Sequence, residues 1–142
     1  MKTSDRALEL FHGGCNCAQS VAGAFIKDPS ALGFACGFGG GIGTLQGSCG
    51  AYTGAVMALG VRMHDPADVM GSRKAAAPKI RELAQAFEAR HGSTECLRLL
   101  GVNLLDPQLA DLAREKDMFR VKCDGYVRSA CEILESMGIQ AD

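Results

Sequence analysis

Seven cysteines stand in a chain of 142 residues, and four of them fall where the chain is expected to begin a helix. Cys17 lies in the first turn of a second helix, and Cys49 in the first turn of a glycine-rich one. Cys96 sits two residues after the capping residue Thr94, and Cys123 lies in the first turn of the last helix. A helix N-terminus presents unpaired N–H groups and about +0.5 of effective charge. That environment favours the thiolate, which is both nucleophile and metal ligand. The four are 32, 47 and 27 positions apart, so no local motif joins them and only a fold can. Helical periodicity turns them inward. Cys17 shares a face with Val21, Cys96 with Leu100, and Cys123 with Val127, Ala130 and Leu134. The competing role is plain: a cysteine is also a small core hydrophobe, buried and inert.

The other three thiols carry less. Cys15-Asn16-Cys17 is too short for a relaxed internal disulfide. Cys36 precedes a glycine run, and Cys131 lies mid-helix and reads as core. There is no C-x-x-C, hence neither a thioredoxin motif nor a haem c attachment site. The run Gly37-Phe38-Gly39-Gly40-Gly41-Ile42-Gly43 has neither G-x-G-x-x-G spacing nor a following Gly-Lys-Ser/Thr, so dinucleotide and P-loop readings fail. Its role is close backbone packing, or amides aimed at an anionic centre. His12, His64 and His91 sit near helix ends and read as surface residues or partners of the C-terminal dipole. Asp68, Glu82, Glu88, Asp111 and Glu115 read as solvated helix faces.

The elements that must position the cysteines are almost all helices. Thr3 or Ser4 caps a first helix that Gly13-Gly14 ends. A second starts near Cys15-Asn16 and carries Ala18, Val21, Ala22 and Phe25 on one face. A third runs from about Gly47-Ser48 to Arg62. Its small residues at spacing four (Gly50, Gly54, Ala58; Gly47, Ala51, Ala55) let another backbone approach closely, at about 1 kcal/mol of helix propensity per glycine. Asp65-Pro66 reads as a cap plus proline opening a helix to His91, kinked or broken at Pro78. Ser93-Thr94 and Asp106-Pro107 open two more, and the last runs from about Lys122 to Met137. No stretch alternates as a strand does. The expectation is all-α: a single helical domain over residues 1–142, with six to eight helices and a glycine-rich central segment.

Composition sets the outer limits. Fifteen Lys and Arg against sixteen Asp and Glu leave a net charge of −1, which argues against nucleic acid or an anionic membrane as a partner. The uncharged stretch Pro29–Val61 holds ten glycines in 33 residues, so it reads as buried core and not as membrane insertion. The N-terminus mixes acid and base with no apolar run, which points to the cytoplasm, where thiols serve metal or redox chemistry before structural disulfides.

With these residues in hand, the chain resembles the bacterial and archaeal proteins named for their C-GCAxxG-C-C pattern, described as redox-active. The matching residues are Asn16-Cys17-Ala18, Phe38-Gly39-Gly40-Gly41-Ile42, Cys49-Gly50-Ala51-Tyr52-Thr53-Gly54, Cys96-Leu97-Arg98-Leu99-Leu100-Gly101, and Cys123. The resemblance implies four shared cysteines: Cys17, Cys49, Cys96 and Cys123. A related domain occurs in split-Soret cytochromes, where it holds an iron–sulfur cluster beside haems; the haem part has no counterpart here.

Three chemistries suit such a centre. The first is an iron–sulfur cluster for electron transfer, with the four cysteines as cofactor and metal ligands; the formal charge of about −2 on a [2Fe–2S]²⁺ core with four thiolates would be offset by four helix N-termini. The second is a thiol–disulfide enzyme or sensor in which two of the four cycle. The third is a structural Cys₄ zinc site. A redox partner protein follows from the first two, and self-association into a homo-oligomer is compatible with all three.

Overall fold

The computed structural model describes residues 1–142, and every regular element in it is helical. Eight helices follow one another: α1 (Thr3–His12), α2 (Cys17–Phe25), α3 (Ser30–Phe34), α4 (Gly50–Met63), α5 (Val69–His91), α6 (Cys96–Leu100), α7 (Pro107–Glu115) and α8 (Asp124–Ser136). A 3₁₀ turn (Cys36–Phe38) precedes the glycine run, and a π-helical turn (Phe119–Cys123) leads into α8. The one β-type pairing is an isolated antiparallel bridge between Ser48 and Glu95.

The core is drawn from the expected faces. Val21, Ala24 and Phe25 of α2 meet Ala51, Ala55, Ala58 and Leu59 of α4; Leu83 and Phe87 of α5 and Val127, Ala130, Cys131, Ile133 and Leu134 of α8 complete it. The α2–α4 contact is as close as two rows of small residues allow. A Cβ on Gly54 would lie 2.6 Å from the Ala18 carbonyl oxygen, and one on Gly50 would lie 2.9 Å from Cys17 Cβ.

Several boundaries differ from the sequence expectation, each for a local reason. Lys2, with no side-chain cap bond, precedes α1, and Ser4 is buried inside that helix. Asn16 caps α2 through a reciprocal box with Gln19, so the helix starts at Cys17. Asp65-Pro66 forms a turn in which Asp65 accepts from the Ala67 amide; Asp68 caps α5 instead, accepting from Gly71 at 2.9 Å. Helix α5 is unbroken through Pro78. Pro78 is exposed, so the carbonyl it leaves unpaired one turn earlier can be satisfied by water. At α6 the preceding position is Glu95, and the Ser93 hydroxyl accepts from its amide.

Two differences bear on the site. The glycine run is a turn wound left-handed: Gly40, Gly41, Ile42 and Gly43 have φ of 61°, 61°, 64° and 62°. That hand costs an ordinary residue about 1–2 kcal/mol, which is why three of these four positions are glycine. Second, Cys123 does not begin a helix. A continuous helical run extends from Met118 through the π turn to Ser136. Asp117, at φ 51°, starts it early, its carbonyl accepting from the amides of Arg120 and Val121.

Candidate functional site

The four cysteines singled out by sequence line one cavity. Cys17, Cys49, Cys96 and Cys123 share its wall with Gly40, Gly41, Gly50, Leu99, Leu100, Leu104, Phe119 and Tyr126, around a volume of about 50 Å³. Each thiol arrives by its own device. Asn16 fixes Cys17: its Oδ1 accepts from Gln19 N at 2.8 Å, while its Nδ2 donates to the carbonyls of Ala35 and Cys36, both at 3.1 Å. Cys49 and Cys96 are stitched together around the Ser48–Glu95 bridge. The Cys49 amide donates to Thr94 O and the Cys96 amide to Gly47 O, each at 2.7 Å. Cys123 is carried by the π turn, whose wider winding re-aims side chains and recurs at functional sites. Behind it, Tyr126 Oη donates to Leu99 O at 2.7 Å and Lys122 Nζ to Leu100 O at 2.9 Å.

Glycines make the room. A Cβ on Gly41 would lie 2.8 Å from Cys96 Cβ, from Gln46 Cα and from Gly47 N. Such a position takes no side chain without moving the thiol.

The electrostatics depart from the helix-dipole expectation. Burial pushes Cys49 up to about 11, although the N-terminal amides of Ala51 and Tyr52 pull it down. Burial and the neighbouring Cys123 push Cys96 to about 11, against a hydrogen bond from Gln46. Desolvation therefore outweighs the helix ends. The thiol that is lowered is Cys123, the one without a free helix N-terminus. The neighbouring Cys17 thiol lowers it, and the same interaction, together with burial, holds Cys17 well above the usual thiol range.

The remaining cysteines lie apart from the cavity: Cys36 is exposed, Cys15 half-buried and Cys131 fully buried in α8. Burial pushes Cys131 up to about 12. No three Cys, His, Asp or Glu side chains are grouped as preformed metal ligands. Among the histidines, His12 pairs with Asp124 at 2.9 Å. His91, half-buried at the end of α5, packs its ring against Phe87 and edge-on to Tyr126, and its Nε2 is buried without a partner.

Sequence reasoning missed Gln46 and Tyr126. Gln46 is buried and spans three segments, and Tyr126 forms part of the cavity wall. The one sequence signal for either was Tyr126's place three residues after Cys123. A larger groove of about 710 Å³, lined by Phe34, Phe38, Met57 and Val61, holds no thiol. Its Arg62 is already engaged by Asp142 at 2.9 Å.

No helix is long and apolar enough to cross a membrane. No curated protein and no solved structure matches the chain significantly. A family described as "Putative redox-active protein (C_GCAxxG_C_C)" matches residues 15–137, from Cys15 to within a residue of the end of α8. That span holds all four cavity cysteines and nearly the whole chain, and the protein therefore belongs to the C_GCAxxG_C_C family of redox-active proteins.

Proposed function

We propose that the protein carries electrons through a four-cysteine centre formed by Cys17, Cys49, Cys96 and Cys123, with the four thiolates holding an iron–sulfur cluster. The observation that carries this reading is that four cysteines from four separate segments wall one otherwise apolar cavity. The donor set fits the group in its chemistry: four soft sulfur ligands, no carboxylate or imidazole in the wall, and glycines where a side chain would displace Cys17 or Cys96. When bound, the cluster supplies a one-electron carrier. The chain's own residues do the rest. Tyr126, Leu99, Leu100 and Phe119 exclude water, and Gln46 offers an N–H to the Cys96 sulfur.

One observation favours a second reading. Cys17 and Cys123 stand in one cavity wall and act on each other's ionisation, Cys123 lowered and Cys17 raised, which makes them the natural pair for thiol–disulfide exchange. Cys123 thiolate would attack a partner's disulfide and release one partner thiolate. Cys17 would then displace the second, leaving a Cys17–Cys123 disulfide and a partner dithiol; two electrons and two protons pass to the partner.

Anaerobic purification, a visible spectrum and analysis of iron, sulfide and zinc decide. The cluster reading requires iron and sulfide in near-equal amounts and thiolate-to-iron absorption. Both must be lost on Cys→Ser change at each of the four and kept for Cys15, Cys36 and Cys131. Colourless, metal-free protein with one titratable Cys17–Cys123 disulfide establishes the exchange reading. Stoichiometric zinc without iron makes the centre structural and refutes both.

A further inference from the structure

Between Gly101 and Val121 the chain leaves the body of the protein and returns to the point of departure. The neck is closed by Lys122 Nζ on Leu100 O and by Tyr126 Oη on Leu99 O. Of the 21 residues in the excursion, only Ala113 is buried. Its helix α7 packs extensively on no other helix. No ion pair ties the excursion to the rest of the chain; its own pair, Arg114 with Asp111, is internal. Left-handed residues stand at both ends, Gly101 at φ 83° and Asp117 at φ 51°. Yet Leu104 and Phe119, near its two roots, are part of the wall around the four thiols.

Beyond its two roots, the hydrogen bonds that hold this segment to the body come from one side chain. Gln46 Nε2 donates to Val102 O and Gln46 Oε1 accepts from Leu104 N, both at 2.7 Å. Gln46 is 4% exposed and rigidly mounted: its amide donates to Gly40 O and its carbonyl accepts from Leu97 N. Segments with few buried contacts open locally without global unfolding, and an Asp117 hinge has the backbone state to permit it. Access also demands it. Cys17, Cys96 and Cys123 are partly exposed and Cys49 is buried, but a cavity of about 50 Å³ holds no more than a few waters, so a cofactor or a partner thiol needs more room than the closed form gives.

We propose that residues 101–121 form a lid over the four-cysteine cavity and that Gln46 is its latch. The purpose of the lid rests on the redox reading above, but its existence does not, because it is measured as access to thiols in metal-free protein. Cys131 serves as an internal reporter: it is 0% exposed in the centre of α8, well away from the lid, and reacts on global unfolding.

The experiment is iodoacetamide labelling of the reduced, metal-free full chain with mass mapping, in parallel with amide hydrogen exchange. It is read first at Cys49, the buried thiol of the four, and then at the partly exposed Cys17 and Cys123; Cys96 is left out because Gln46 acts on it directly. In the wild type these three label at least tenfold faster than Cys131, with no dependence on low urea. Gln46→Leu removes two neutral hydrogen bonds, each worth about a factor of five, so labelling rises roughly twenty-five-fold while Cys131 stays slow. The Leu104 amide loses exchange protection by a similar factor. Leu104→Ala leaves both Gln46 bonds intact, removes wall packing and raises labelling in the same pattern; it decides if Gln46→Leu fails to fold. The proposal is overturned if the site thiols track Cys131 in rate and urea dependence, or if folded variants label as the wild type does. Iron analysis of the Cys→Ser series is separate, so the lid and the cluster can each fail alone.

Discussion

Changing Gly54 to alanine tests the claim that the site is built on an unusually close approach of α2 and α4. The added Cβ would stand 2.6 Å from the Ala18 carbonyl oxygen, 3.0 Å from Ala18 Cα and 3.1 Å from Val21 Cβ. Two of those atoms are backbone, so no rotamer change relieves the overlap. Restoring ordinary contact means separating the helices by about 0.8 Å, a gap that forfeits a quarter to a half of the dispersion energy across the contact. Overpacking of this kind costs about 1–3 kcal/mol, and rigid backbone places it near the upper end. Alanine returns about 1 kcal/mol of helix propensity, leaving a net loss of about 2 kcal/mol. Gly60 is the control within the same helix, because nothing lies within 4 Å of its Cβ position. Gly60→Ala should therefore gain about 0.5–1 kcal/mol. The same substitution six residues apart should differ by close to 3 kcal/mol, or about 10 °C in Tm for a chain of this size. Urea titration with unchanged m-values is the assay. Gly54→Ala as stable as Gly60→Ala would refute the packing argument.

Two further outcomes follow from the site. Gly41→Ala combines a φ of 61° with 2.8 Å contacts to Cys96 Cβ and to the backbone of Gln46 and Gly47, so it should cost about 2–4 kcal/mol and change the labelling rate of Cys96; an unchanged midpoint and rate would show the left-handed turn to be pliant. Cys131 is held at about 12 against an ordinary 9.0, so the folded state keeps a proton that the unfolded chain gives up, and its contribution is intact below pH 9 and lost as pH rises toward 12. Cys131→Ala should therefore flatten the alkaline fall in stability over that interval, and a slope identical to wild type would place the loss in other groups.

How far the sequence could be read depended on whether the governing interaction was local. The start of α2 near Cys15-Asn16, Asp106-Pro107 opening α7 and the apolar faces of α2 and α8 depend on neighbours within a turn or two, and were legible. Pro78 left a kink and a break both open, because a buried proline and an exposed, water-satisfied one look alike in sequence, and the helix continues through it. The helical run ahead of α8 was not foreseen, because Asp117 begins it through backbone geometry alone, with no proline or side-chain cap to mark it.

The sequence by itself determined that the chain is helical, that its glycines mark close approaches and that Cys17, Cys49 and Cys96 stand at or beside helix starts, because period, capping and propensity act over a few residues. Tertiary structure alone decided the rest. It brought thiols as much as 47 positions apart to one cavity, through a Ser48–Glu95 bridge and a π turn that no pattern encodes. It also set their chemistry. Dipole arguments treat a helix end as though it faced water, but burial at this site outweighs the helix ends, so Cys49 and Cys96 are raised and Cys123 alone is lowered, by the thiol of Cys17.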